Sequence, residues 1–335
     1  FESIYICDLH GSSKKVTDLT DKPVFDIQQG VSVGVFLKSR NITPSGVSYS
    51  QLRGSRESKL SILSDAVVSG MQNDIFQPSA PFFLFCQFNT DLWEEYERFS
   101  SLTEIFPLRS IGLVTSKDSL VIDQDKNKVL DRVTEFQKSN LTNDDLCKEA
   151  GITPKKAWNV SKSRERLKSI TNISDFILEF NHRPLQAKFI FYDKSLVWSM
   201  AYPVNKHLVD GKNLALTVSR QLAAPPWKHV FCSNTIVEYC YITNRTKEGN
   251  HVFPLYIREG IEDDLLSGTD DKLVPNISLS FLSAMRKCVE QDKLVREKPD
   301  NYGEAEAVFY YCYAILHSAS YRNRYENFLS RDFPC

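Results

Sequence analysis

The feature that most constrains this chain is the stretch PVFDIQQGVSVGVFLKSR at residues 23–40. Val31, Val33, Val35 and Leu37 alternate with Ser32, Gly34, Phe36 and Lys38. Apolar residues occur in both alternating sets, a pattern that predicts a strand covered on both faces, at the centre of a sheet. Such a strand needs partners on either side. Only FESIYICDLHG, itself strand-like and without an initiator Met, and the polar loop GSSKKVTDLTDKP precede it. The chain therefore reads as cut from something larger, with residues 1–39 forming a hairpin-like end of a sheet.

Composition sets the outer limits. At 335 residues, 42% hydrophobic and 25% charged, the chain has the make-up of a folded globular protein with one large domain or two ordinary ones. No apolar run reaches the roughly 18 residues of a membrane span, and no basic segment leads into an apolar core as in a signal peptide. The expectation is a cytoplasmic protein with no membrane partner. The eight cysteines never form CxxC pairs and sit mostly in apolar segments, as reduced core residues would. The net charge of −1 does not exclude nucleic acid, because binding follows local fields within about 8–10 Å and not the whole-chain sum.

Along the chain the pattern changes repeatedly. YSQLRGSRESKLSILSDA is polar and helical, NDIFQPSAPFFLFCQF leads into a short aromatic strand, and LWEEYERFSSLTEIF carries Leu92, Trp93, Tyr96, Phe99 and Leu102 at helical spacing. Amphipathic helices follow in NKVLDRVTEFQKS and TNDDLCKEAGI. From residue 176 onward short strands dominate, and GEAEAVFYYCYAILHSASYRNRYENFLSRDF predicts a long closing helix with Val308, Tyr311, Cys312, Ile315 and Leu316 on one stripe. The fold class is mixed α and β, of the α+β kind.

Self-contained catalysis has no visible machinery. There is no G-x-S-x-G, Walker-type loop or G-x-G-x-x-G, and six dispersed histidines form no metal motif. DQDKN at Asp123 imitates half a calcium loop, but Lys128 stands where Gly is needed and Thr134 where a bidentate Glu is needed. The basic stretches are more informative. In LCKEAGITPKKAWNVSKSRERLKSI, the residues Lys155, Lys156, Lys162, Arg164, Arg166 and Lys168 face one acid, Glu165. Two readings stand: a helix-turn-helix or phosphate-contacting surface, and a solvated helix with Leu167 and Ile170 in the core. FNHRPLQAKFIFYDKSLVW interleaves Arg183, Lys188 and Lys194 with Phe189, Phe191, Tyr192 and Trp198, which suits either a nucleic-acid surface or a half-buried strand.

FESIYICDLHGSSKK with VFDIQQGVSVGVFLKS, and then YSQLRGSRESKLSIL, IFPLRSIGLVTSKDSLVI, NHRPLQAKFIFY, PPWKHVFCSNTIVEY, VFPLYI and VFYYCYAILHSASYRNRYENFLSRDFP, resemble successive blocks of adenine-N6 DNA methyltransferases of the single-chain Type ISP restriction-modification group. The resemblance spans nearly the whole chain. It implies that residues 1–55 are the last strands of a methyltransferase domain, 56–80 a linker, 81–275 a target recognition domain of short strands flanked by helices, and 276–335 a helical segment packed on it. It further implies double-stranded DNA and an upstream methyltransferase domain as partners, and S-adenosylmethionine as cosubstrate of the parent enzyme. The family's glycine motif for that cosubstrate and its Asn-Pro-Pro-Tyr/Phe loop are absent from this sequence, so the fragment holds no cofactor and no catalytic residue of its own.

By the same resemblance Phe25 matches the aromatic that stacks on the extruded adenine; the alternative is that it packs at the strand entrance. Arg183, Lys188, Arg220, Gln221, Lys228 and Arg245, in or just after strands of the recognition region, are the implied base-edge readers. The family's HRP is generally followed by Phe-Asp and a further Arg, whereas this chain reads HRPLQAK. That departure weakens carry-over to Arg183 and Lys188. A protein-interaction module that docks nuclease or motor domains, and an RNA-binding domain, remain the competing readings.

Overall fold

The structure, a computed structural model, describes residues 1, 3–12, 18–38, 46–65, 74–80, 82–153, 158–222, 226–243, 248–259, 272–291 and 303–335. The chain divides into two compact units, Phe1–Glu95 and Tyr96–Cys335.

The first unit is built on a four-stranded sheet of β1 (Ser3–Asp8), β2 (Ser32–Leu37), β3 (Val47–Gln51) and β4 (Asp74–Phe76), in the order β2-β1-β3-β4. β1 runs antiparallel to β2 and parallel to β3, and the helix α1 (Arg56–Asp65) follows β3. Ile6, Val47 and Tyr49 form the core under Ile4, Phe76 and Cys86. A buried ion pair helps fasten its loops. Lys59 on α1 is fully buried, with Nζ 2.6 Å from Asp21 and donating to the carbonyls of Leu9 (2.6 Å) and Lys22 (2.8 Å). Burial alone would raise the Asp21 pKa, but hydrogen bonds from Lys59 and from the amides of Gly11 and Gly54 outweigh it and hold the carboxyl below its usual range.

The expected sheet-centre strand is not one. β2 sits at the sheet edge and every residue in it is exposed, including Val33, Val35, Phe36 and Leu37. Periodicity reports that both faces suit burial, not that anything among the described residues covers them.

After α2 (Trp93–Tyr96) and α3 (Leu102–Ile105), the second unit combines a four-stranded antiparallel sheet with a three-stranded one. The three-stranded sheet is β6 (Ile122–Asp123), β8 (Gln186–Phe191) and β7 (Ile177–Arg183), with α5 (Lys126–Lys138) packed on β8. Val129, Val133, Phe136 and Gln137 recur at helical spacing and are the buried face of α5. Asp125 caps this helix by accepting from the Asn127 amide, and Asp123 pairs with Arg132 at 2.9 Å, so the calcium-like DQDKN run is a helix start. α4 (Asp118–Val121), α6 (Asn143–Glu149) and α7 (Val160–Lys168) complete this layer, with Leu146 and Leu167 entering the core beside Phe180, Ile190 and Phe191.

The four-stranded sheet has the order β10-β9-β11-β5, from β10 (Val230–Ser233), β9 (Ala215–Ser219), β11 (Asn250–Pro254) and β5 (Ser110–Ile111). Every residue of β9 is buried. α8 (Tyr202–Asn205) precedes it, and the hairpin β12 (Tyr256–Glu259) with β13 (Lys272–Pro275) follows β11. The C-terminal helices are α9 (Leu279–Gln291), α10 (Glu304–His317), α11 (Ala319–Arg324) and α12 (Glu326–Leu329). The expected long closing helix is thus broken at Ser318, whose extended backbone (φ −64°, ψ 123°) lets its hydroxyl cap α11 through the Tyr321 amide. Only Cys147 and Cys312 of the eight cysteines are buried, fewer core thiols than their apolar neighbourhoods suggest.

Candidate nucleic-acid interface

The ladder of the four-stranded sheet fixes which loops meet. β9 pairs with β10 through Val218↔Val230 and with β11 through Ser219↔Asn250. Residues just past the end of β9, just before β10 and just before β11 therefore emerge at the same end of the strands. These are Arg220 and Gln221, Lys228, and Glu248 and Gly249, with Arg220, Gln221 and Lys228 all exposed.

The chain's tail returns to the same end. The Leu222 amide donates to the Ser330 carbonyl at 3.1 Å, and Arg220 Nε lies 2.9 Å from Asp332. The result is a polar concavity of about 440 Å³ lined by Ile111, Arg220, Gln221, Leu222, Tyr239, Glu248, Gly249, His251, Ser330 and Arg331. Phe333 organises its rim: the guanidinium of Arg109 lies 4.8 Å from the ring centroid and that of Arg220 5.8 Å, while His251 packs edge-on at 4.8 Å.

Burial, reinforced by the charges of Arg109 and Arg220, pulls the His251 imidazole down to about 4, so it is neutral at pH 7. Its Nδ1 is buried and has no hydrogen-bond partner. Tyr239 is fixed by close packing, since a Cβ at Gly249 would come within 1.9 Å of the Tyr239 ring. The lining sets the cations Arg220 and Arg331 beside the amide of Gln221 and the carboxylate of Glu248, with Arg220 also paired to Asp332. That chemistry suits a polyanion carrying hydrogen-bonding edges.

The other expected readers are placed differently. Arg183 Nη1 donates to Glu238 Oε2 at 2.6 Å and to the His182 carbonyl at 2.5 Å, with side chains 28% and 11% exposed. Burial raises the Glu238 pKa against the pull of Arg183. This arginine ties β7 to the segment before Tyr239. Lys188 is half-buried and lies opposite Phe180 in the ladder. Phe191 and Tyr192 are core, whereas Trp198 is exposed.

On α7, Arg164 donates to the carbonyls of Ser139 (2.6 Å) and Leu141 (3.2 Å) and to Asn143 Oδ1 (3.0 Å), and Arg166 pairs with Asp193 at 3.3 Å. Gln137 on α5 donates to the Leu167 and Ile170 carbonyls at the end of α7. Lys162 and Lys168 are exposed. Lys155, Lys156 and Arg245 lie outside the described residues. Phe25 is 50% exposed and lies outside any strand.

Sequence reading missed Arg331, Tyr239 and His251. Arg331 lies in the tail, more than a hundred residues from Arg220, and no periodicity links the two. A second concavity, about 580 Å³, is lined by apolar residues such as Phe281, Met285, Tyr311 and Ile315, with Arg98 its one cationic lining residue. Its character argues against phosphate.

A model of the Type ISP C-terminal specificity domain matches residues 104–335. The chain belongs to the Type ISP C-terminal specificity domain family. No curated protein matches it. Three solved structures share the fold of this specificity-domain chain along its whole length. They are a DrdV–DNA complex (20% identity, TM-score 0.67), a nuclease-deletion mutant of the Type ISP restriction-modification enzyme LlaGI with a DNA substrate mimic (18%, 0.65), and the ATP-dependent Type ISP restriction-modification enzyme LlaBIII bound to DNA (18%, 0.70). The chain spans 33%, 26% and 22% of those chains respectively. The mixed α and β architecture expected from sequence is the one observed. Among the described residues, no helix is long and apolar enough to cross a membrane.

Proposed function

We propose that this chain binds double-stranded DNA and selects the sequence for an adenine-N6 methyltransferase of a Type ISP restriction-modification system. The observation that carries the reading is the meeting of Arg220, Gln221 and Arg331 with His251 in one concavity at the strand ends of the β9–β11 sheet, with Lys228 exposed just before β10 at the same end. Membership of the specificity-domain family and the DNA-bound state of the three similar structures support it.

In this reading Arg220 and Gln221 reach base edges, while Lys162, Lys168 and Lys228 contact phosphates. One good bidentate contact discriminates by about 1–3 kcal/mol, enough for several such contacts to define a site. Arg183 and Arg164 are positioning residues.

Methyl transfer is assigned to the rest of the enzyme. The cavity of about 30 Å³ in the first unit, lined by residues such as Phe76, Pro78, Phe82 and Cys86, is far too small for S-adenosylmethionine and carries no carboxylate for its ribose. Among the described residues, those that line this cavity do not fit that group. The exposed β2 edge joins the upstream methyltransferase domain, and the exposed ring of Phe25 stacks on the extruded adenine, returning about 1–3 kcal/mol of the unstacking cost.

Gel shifts of the 335-residue chain with duplex DNA, duplex RNA and no ligand across a salt series test this function. Duplex DNA is expected to bind with an affinity that falls by about 0.9 log units per phosphate contact for each log unit of salt. Equal binding of RNA, or none of either, rejects the reading; the second outcome favours a protein-coupling module.

A further inference from the structure

The hairpin between β7 and β8 turns through two residues, Pro184 and Leu185, with Arg183 paired to Gln186 across the turn. Leu185 is fully exposed and its φ is +61°. Both facts are unfavourable for a leucine. The left-handed region is disfavoured for a residue with a branched side chain, and glycine or asparagine takes this place without that penalty. A fully exposed leucine at a turn tip also contributes nothing to the core.

The turn is nonetheless held rigidly. Pro184 fixes its own φ at the first turn position, and a positive φ at the second gives the order of a type II turn. The His182 and Gln186 side chains are hydrogen-bonded at 3.2 Å. Arg183 anchors the base of the hairpin to Glu238, the residue before Tyr239 of the polar concavity. Lys188 adds a cation on the returning strand. The turn thus presents one apolar side chain to solvent, tied through Arg183 and Glu238 to the segment that lines the concavity.

We propose that Leu185 is a wedge that inserts between two base pairs and unstacks that step of the bound duplex. The proposal rests on the duplex-DNA reading above. Apolar residues inserted at a base step are a general means of kinking DNA, and a rigid turn keeps the ordering cost of insertion low.

The test uses the 335-residue chain, a duplex enriched from a randomised pool, and 2-aminopurine placed at each position in turn. Three variants separate fold from function. Leu185→Gly relieves the positive φ and is expected to melt higher than the parent chain, while binding about 10-fold more weakly and losing the 2-aminopurine rise at one step. Leu185→Ala keeps the strained backbone and is expected to lose the same signal without the gain in melting temperature. Leu185→Met is expected to retain it. If Leu185→Gly and Leu185→Ala bind and unstack like the parent, the wedge is overturned and the DNA reading stands. If the parent chain enriches no duplex, the DNA reading falls and the wedge falls with it.

Discussion

Arg183 and Arg220 look alike in the sequence, and the structure predicts opposite phenotypes for their removal. Arg220 pairs with Asp332 at 2.9 Å, both side chains being more than half exposed. An exposed pair of this kind contributes about 0–1 kcal/mol, so Arg220→Ala leaves folding nearly intact. If Arg220 reaches a base edge, its loss costs about 1–3 kcal/mol, or roughly 5- to 150-fold in affinity for the selected duplex.

Arg183→Ala instead strands Glu238. That carboxylate keeps the Cys240 amide at 2.6 Å but loses its cation in a largely buried site. Breaking a fully buried pair costs about 3–5 kcal/mol, and partial exposure here reduces that to about 2–3. For a unit of this size the shift corresponds to a fall of roughly 5–10 °C in melting temperature. Thermal melts and fluorescence anisotropy on the same preparations read both quantities, the binding series being run well below either transition. Equal affinity for parent and Arg220→Ala would refute the assignment of Arg220. A drop in affinity for Arg183→Ala at unchanged melting temperature would refute the positioning role.

Lys162→Gln with Lys168→Gln is expected to weaken all duplexes alike and to flatten the log-log salt slope by up to about 2, whereas Arg164→Ala lowers stability through its three lost hydrogen bonds; titrations at several salt concentrations distinguish these. Asp21→Asn removes the charge partner of the buried Lys59 and is expected to destabilise the first unit by about 3–5 kcal/mol in urea denaturation. Because the folded pKa of Asp21 lies below the ordinary value of 3.8, its contribution is present above that pH and is lost as pH falls through the folded value. His207 runs on a different window. Burial first, then Lys206 and Arg258, lowers its pKa to about 4, and its Nδ1 accepts from the Arg258 amide at 3.1 Å. The stability tied to neutral His207 is complete above an unfolded pKa of about 6.5 and declines as pH falls toward 4. His207→Asn should flatten that decline in melts from pH 7 to 4.5.

Much of the second unit was legible because its signals are local. The amphipathic face of α5 and the β7–β8 strands follow from spacing within a few residues. The β2 strand was legible as a strand but not as an edge, since what covers a strand is a matter of partners and not of its own pattern. Among the candidate readers, Arg220, Gln221 and Lys228 could be nominated from their places beside strands. That Arg164 and Arg183 spend their donors inside the protein depends on Ser139 and Glu238, distant groups that sequence spacing does not name. Arg331 entered the site only through the returning tail, and His251 through the β9–β11 ladder. The break at Ser318 was written locally, in a serine able to cap the next helix, but the apolar stripe running through it hid the signal.

The most direct measurement of the central claim is selection of bound duplexes from a randomised pool, performed in parallel on the parent chain and on Arg220→Ala with Gln221→Ala. The parent is expected to enrich one defined motif, and the double variant to bind DNA while relaxing preference at particular positions of it. Enrichment of no motif by the parent, or the same motif at the same strength from both proteins, would contradict the account.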